Sequence, residues 1–190
     1  VFARHYIMEC EERYGADDRI IRPGDLIHCD VGLHYLRFNS DHQQMAYVLQ
    51  PGESDAAAGL RQLMAEGRRL QDIYMAEFQT GLSGNELLKQ ILTRARREEV
   101  PNPRVYSHST GIFLHEPGPL IGLPWEQENN PGRGDVRLIE NSCFTMELSV
   151  RDVVPEWDGE EVQLPLEEDV VFTGEGCRPL AGRQTEFYLI

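Results

Sequence analysis

In order, this 190-residue chain reads as strands, then two helices, then strands again, with strands and helices in separate runs. Three observations lead there. Strand-like alternation runs from about residue 26 to 49, and two stretches with apolar spacings of three and four follow it. Alternation then returns from 103 to 173. The length suits one compact domain with a substantial core, and no repeat or linker divides it, so the domain is expected to span 1–190.

Taken in order, Val1 to Met8 reads as a short strand, and Arg22-Pro23-Gly24-Asp25 as the turn into the next. The chain begins in mid-strand at Val1, without Met, so the N-terminal part of the domain is expected to be missing. In the following strand Ile27, Cys29, Val31 and Leu33 face one way and His28 and Asp30 the other, which turns Asp30 away from the apolar side. Leu36 to Leu49 is expected to pair back antiparallel through a short turn near Tyr35 and Leu36, bringing Asp30 opposite or nearly opposite Asp41. Cross-strand Cβ atoms lie about 4.5 to 5.5 Å apart. Two carboxylates at that distance repel unless one is protonated or a cation sits between them. The plainer alternative makes Asp30 a turn residue before Gly32 and Asp41 a solvated loop acid.

Pro51-Gly52-Glu53-Ser54 closes this sheet and opens a helix whose buried stripe is Leu60, Leu63, Gly67, Leu70, Tyr74 and Phe78. Ser83-Gly84-Asn85-Glu86 is a capping box, which starts a second helix with Leu87, Leu88, Ile91, Leu92 and Ala95 inside and Pro101 ending the run. Both helices read as scaffold.

Strands resume at Pro103 and lead into a segment with His108 and His115, seven residues apart. A Pro/Gly-rich loop from about Pro117 to Asp135 is the expected wall of a pocket. From Cys143 to Val150, Thr145, Glu147 and Ser149 alternate with Phe144, Met146, Leu148 and Val150. Asp158-Gly159 signals a hairpin whose return strand runs through Leu166 to Thr173. Here two rules conflict. Alternation puts Glu167 on the polar face, whereas a strict two-residue turn at Asp158-Gly159 would align Glu147 with the face of Glu168. Pro155 and Pro165 make an uninterrupted register unsuitable, and Glu167 is retained.

Acidic residues outnumber basic ones 32 to 18, for a net charge of -14, which argues against nucleic acid or an anionic membrane as partner and suits hard cations. Arginine supplies nearly all the positive charge, Lys89 being the single lysine. Cys10, Cys29, Cys143 and Cys177 are far apart and read as reduced, mostly buried small residues. No membrane span or signal peptide is visible. A cytoplasmic location is the expectation, with export left open because the N-terminal part is expected to be missing.

Asp30, Asp41, one histidine, Glu147 and a glutamate at 167 or 168 form an oxygen-rich donor set with one nitrogen. Mn, Fe or Co suits such a set, and four carboxylates can bridge two metals about 3.5 to 4 Å apart. Elsewhere, His28 shares the face of Asp30, while His34 and His42 flank the turn and are expected to be solvated.

The order Pro23-Gly24-Asp25, Asp30-Val31-Gly32, Asp41, His108, His115-Glu116-Pro117, Phe144-Thr145-Met146-Glu147 and Glu167-Glu168-Asp169-Val170-Val171-Phe172-Thr173 resembles the pita-bread metallopeptidases. Methionine aminopeptidase, aminopeptidase P and prolidase belong to that group. The resemblance implies an α+β fold of two pseudo-symmetric halves, with curved antiparallel sheets backed by helices. It implies two divalent metals, Mn first and Co, Fe or Zn as substitutes. Asp30 would chelate one metal, Asp41 and Glu167 would bridge both, and His108 and Glu147 would complete the second. Glu147 would shuttle the proton of the attacking water, and His115 would bond the substrate near the scissile carbonyl. The implied substrate is a peptide, cleaved at an Xaa-Pro bond by an exopeptidase, and a homodimer is consistent with the family.

Three departures bear on substrate preference. Gln43 and Gln44 replace a Thr-Arg pair, Ser107-His108-Ser109-Thr110-Gly111 replaces Gly-His-Gly-Ile-Gly, and Leu148 follows Glu147 where the family has Pro. An additional upstream histidine of the family has no counterpart, since His5 lies too early. Metal-free relatives, a creatinase-like hydrolase or a non-catalytic binding module, are the alternatives.

Overall fold

The computed structural model describes residues 20–190. The expected strand at Val1 to Met8 and the thiol of Cys10 lie outside the described residues. β1 (Leu26–Tyr35) and β2 (Phe38–Tyr47) form a hairpin, followed by α1 (Ala58–Ala76) and α2 (Gly84–Arg97). Then come β3 (Arg104–His108), β4 (Leu120–Ile121), β5 (Ser142–Val154), β6 (Glu160–Thr173), β7 (Gly176–Pro179) and β8 (Tyr188–Leu189). Among the described residues these strands form one sheet in the order β1-β2-β6-β5-β3-β4, with β7 on β6 and β8 on β2. All pairings are antiparallel except the parallel β2–β8 contact.

Alternation along β5 and β6 decides which face meets the helices. Phe144, Met146, Leu148 and Val150, with Leu164, Leu166, Val170 and Phe172, are buried in one apolar cluster with α1 and α2. Gly67 allows α1 to lie close on β6, because a Cβ there would stand 2.9 Å from Leu166 Cδ1. The Ser83 capping box forms as expected, Ser83 Oγ accepting from the Glu86 amide while Glu86 accepts from the Ser83 amide. Phe78 is buried as expected but lies beyond the end of α1.

Several expectations need correction. The β1–β2 turn is the pair Leu36-Arg37, both at positive φ, and it sets Gly32 opposite Asp41. Asp30 faces Gln43, so the two aspartates are diagonal neighbours, two residues off a direct pair and nearly opposite, as expected. The apolar side of β1 is solvent-facing: Val31 is 44% and Leu33 69% exposed, and Cys29 is exposed too. The alternation is real, but the inward side is the one that carries Leu26, in the core, and His28, half-buried, while Asp30 further along it is exposed. The loop from 117 to 135 is not structureless, since it contains β4 and a 3-10 turn at Arg133–Asp135. Residues 155–159 connect β5 to β6, with a 3-10 turn before Asp158 and Gly159, and this removes the two-residue register. No helix of the described residues is long and apolar enough to cross a membrane.

Candidate metal centre

The five-residue connection puts Glu147 directly opposite Glu167, and the single β2–β6 bridge pairs Glu167 with Gln43. Gln43 pairs with Asp30 and Glu147 with Tyr106. Cross-strand partners point to the same side of a sheet. One row therefore crosses five strands: Asp30, Gln43, Glu167, Glu147 and Tyr106. Asp41 stands two residues along β2, and His108 two residues along β3, on the same side of that row.

This brings Asp41, His108 and Glu167 together, each offering a ligand atom within 4.8 Å of the other two. His108 Nε2 lies 3.8 Å from Asp41 Oδ2. Its placement is indirect: Tyr74 on α1 bonds Ser107 Oγ at 2.6 Å, and the His108 amide donates to Thr145 Oγ1 at 3.3 Å. Glu147 borders the group through its pairing with Glu167. Asp30 is exposed and outside the three-residue group, but its charge raises the pKa of Asp41, Glu147 and Glu167. His115, on the loop after β3, stacks against His108 with ring centres 4.2 Å apart.

The electrostatics are those of crowded acids in a poorly hydrated place. Burial first, then Glu147 and Asp41, push the Glu167 carboxyl up to about 9, while hydrogen bonding from Gln43 opposes them. Burial and Asp30 raise Asp41 to about 6. Burial raises Glu147 to about 7, opposed by Gln43 and reinforced by Asp30 and Asp41. Burial lowers His108 to about 4, against a hydrogen bond to Ser109. His108 is thus neutral near pH 7. Its Nδ1 lies 3.2 Å from the Ser109 carbonyl, and a proton there leaves the Nε2 lone pair toward Asp41.

A divalent cation fits this donor set. Glu167 is 1% exposed, yet its Oε1 has no hydrogen-bond partner among the described residues, so one lone pair is buried and unspent. Orphaned buried acceptors are costly, and a cation among three converging donors satisfies this one. The donor set, two carboxylates and one imidazole with Glu147 at its border, is that of hard or borderline ions.

Two contributors escaped the sequence reading. Gln43, 4% exposed, donates from Nε2 to Glu167 Oε2 at 2.8 Å and accepts through Oε1 from His28 Nε2 at 2.7 Å. The signal was present, since alternation puts Gln43 on the face of Asp41. His42 is not solvated as expected. Its two ring nitrogens lie 3.8 Å from Glu168 and from Asp169, on the side of β2 away from Gln43. Glu168, on the helix-facing side of β6, is held by the Gln184 amide at 2.8 Å and does not share the Glu147 row.

Comparison with known proteins agrees with this architecture. The uncharacterized peptidase YqhT of Bacillus subtilis (strain 168) is 28% identical over 178 residues, 92% of this chain and 44% of that protein. The X-Pro aminopeptidase of Thermotoga maritima MSB8 superposes with a TM-score of 0.68 at 22% identity, over 94% of this chain and 46% of that one. A prolidase from Pyrococcus horikoshii OT3 gives 0.61 at 21%, over 90% and 44%. At such identities the likeness to solved structures establishes the pita-bread fold. The chain spans about half the length of these relatives. With its sequence matched over residues 5–174, its strands in this order and its acids on one face of the sheet, the chain belongs to metallopeptidase family M24.

Proposed function

We propose that this chain carries the catalytic site of a dinuclear metal-dependent exopeptidase that acts at the N-terminus of peptides, at Xaa-Pro bonds. The observation that carries the reading is the convergence of Asp41, His108 and Glu167 within 4.8 Å, with Glu147 facing Glu167 across the β5–β6 pair. The Xaa-Pro preference rests on the names of similar structures, an X-Pro aminopeptidase and a prolidase.

Asp41 and Glu167 would bridge two ions, with His108 and Glu147 on one side and Asp30 on the other. When bound, the ions supply Lewis acidity, which polarises a peptide carbonyl and makes water acidic enough to attack near neutral pH. The remaining tasks belong to the chain. Glu147, placed opposite Glu167 on the acidic row, would take a proton from water and return it to the leaving amine. His115, exposed and stacked on His108, presents a ring nitrogen to the substrate from the loop side. Gln43 fixes the rotamer of Glu167, and His28 fixes the amide of Gln43.

The test is elemental analysis of the chain purified without chelator and reconstituted with Mn, followed by assay of Xaa-Pro peptides. About two equivalents per chain, falling to one or none in Asp41→Asn with the fold intact by circular dichroism, is the expected result. A wild-type chain without stoichiometric metal would move the metal-free alternatives ahead, and an Asp41→Asn variant with full occupancy would sink the bridging role.

A further inference from the structure

Beyond Glu147, the same face of the sheet continues for two more rows, and the charge changes sign. Ser149 pairs with Arg104, and Arg151 pairs with Gln163. Asn102, Arg104, Ser149, Arg151, Glu161 and Gln163 line a cavity of about 150 Å³. The chain holds 32 acidic and 18 basic residues, so acids are in excess. Yet among the described residues neither Arg104 nor Arg151 forms an ion pair. Arg104 bonds the carbonyl of Pro124, on the loop after β4, and Arg151 bonds Gln163 Oε1 at 2.9 Å. A guanidinium has five N–H donors, so each retains most of its capacity.

Both arginines are held in place by neutral groups rather than by acids. The Pro124 carbonyl fastens one, and the Gln163 amide, itself bonded to Ser149 Oγ at 3.3 Å, fastens the other. Neutral tethers orient a guanidinium without cancelling its charge. Glu161 alone opposes them at the cavity wall, leaving the lining positive.

We propose that the Arg104–Arg151 cleft binds the C-terminal carboxylate of a short peptide lying along the sheet face with its amino end at the acidic row. This rests on the peptidase reading and adds a substrate class: free-acid peptides of about three to five residues. The length follows from strand geometry. The Arg104 row lies two residues from Glu147 and Arg151 four, which is roughly 7 and 13 Å at 3.3 Å per residue. An extended peptide advances about 3.3 to 3.6 Å per residue. A dipeptide, about 7 Å long, reaches only the Arg104 row, whereas peptides of three to five residues extend beyond it into the cleft between the two arginines. The face is thus a dipole, acids at one end and arginines at the other, complementary to a zwitterionic peptide.

The test uses the whole chain without metal, so that binding is read apart from turnover. Ala-Pro-Ala-Ala and its C-terminal amide are titrated calorimetrically into wild type, the Arg104→Ala/Arg151→Ala variant and the Arg104→Lys/Arg151→Lys variant. Wild type is expected to bind the acid about tenfold or more tighter than the amide, the worth of one charge-assisted hydrogen bond. The alanine variant is expected to lose that preference, and the lysine variant to keep part of it. Equal binding of acid and amide by wild type, no binding of either, or a preference that survives in the alanine variant overturns the cleft. Hydrolysis of both peptides by the Mn-loaded chain reports separately. Cleavage without acid preference removes the cleft and leaves the peptidase, whereas acid preference without cleavage removes the peptidase reading and leaves an anion site.

Discussion

The two faces of the β5–β6 hairpin are made by the same residues in alternation, yet they obey opposite rules. On the helix side, Phe144, Met146, Leu148, Val150, Leu164, Leu166, Val170 and Phe172 are all buried in one cluster with α1. On the other side, Thr145, Glu147, Ser149, Gln163, Glu167 and Asp169 are polar, and three of them carry acids whose pKa burial raises. The first face holds the register. A slip of one residue would drive Glu167 into α1 and turn Leu166 to the site, so the apolar side fixes which glutamate meets Glu147. The second face uses that precision and weakens the fold by crowding charge.

Neighbouring substitutions should therefore act in opposite directions. Leu166→Ala leaves a cavity beneath Gly67 and is expected to destabilise the chain by about 3 kcal/mol in denaturant titration. An effect under half that would mean the face is loosely packed and cannot be the register device.

One residue further on, Glu167→Gln is expected to raise the melting temperature of the metal-free chain at pH 8 while weakening Mn binding. The sign follows from linkage. Glu167 ordinarily titrates near 4.5 and does so at about 9 in the fold, so between those values the folded chain holds a proton that the unfolded chain has released. Stability from this group falls as pH rises across that window, and Asp41 and Glu147 add the same sign up to about 6 and 7. Wild type without metal should melt at lower temperature at pH 8 than at pH 6, with a steeper slope than the variant. Cations replace those protons, so the rise in melting temperature on adding Mn should be larger at pH 8. A flat profile in both proteins would show that the acids are not crowded.

The smallest expected effect sharpens the comparison at its edge. Gln43→Ala removes the donor to Glu167 Oε2 without touching a metal ligand, and should weaken Mn binding by 10- to 100-fold in calorimetry. Gln43→Asn, one methylene shorter, should recover little, because the same reach to His28 and Glu167 is lost. Unchanged affinity in both variants would reduce Gln43 to filler.

Much of this was legible in the residues, and the failures have a common cause. The helices were readable because their periodicity and the Ser83–Glu86 box are local. The β5 alternation was equally readable. The exposed side of β1 was not, because alternation gives two faces without saying which is inside. Leu26 at one end and Val31 and Leu33 at the other face opposite ways, and only the pairing of β2 with β6 decides between them. The offset of Asp30 from Asp41 depended on where a turn without Gly, Asn or Asp would form, and Leu36-Arg37 carries no turn signal. His42 was misjudged for a related reason, since both its carboxylate neighbours are far away in sequence.

The bond between Gln43 and Glu167 joins residues 124 positions apart. Hairpins of the β1–β2 and β5–β6 kind form in microseconds, from neighbours in the chain. Their meeting must close a loop that contains both helices and most of the sheet, and the entropy of that closure is met only once the helix-side core has formed. The acids therefore converge at the end of folding rather than at its start. A cation that needs donors from β2, β3 and β6 together cannot nucleate this structure, and its effect on kinetics belongs to the unfolding rate, with refolding speed left nearly unchanged.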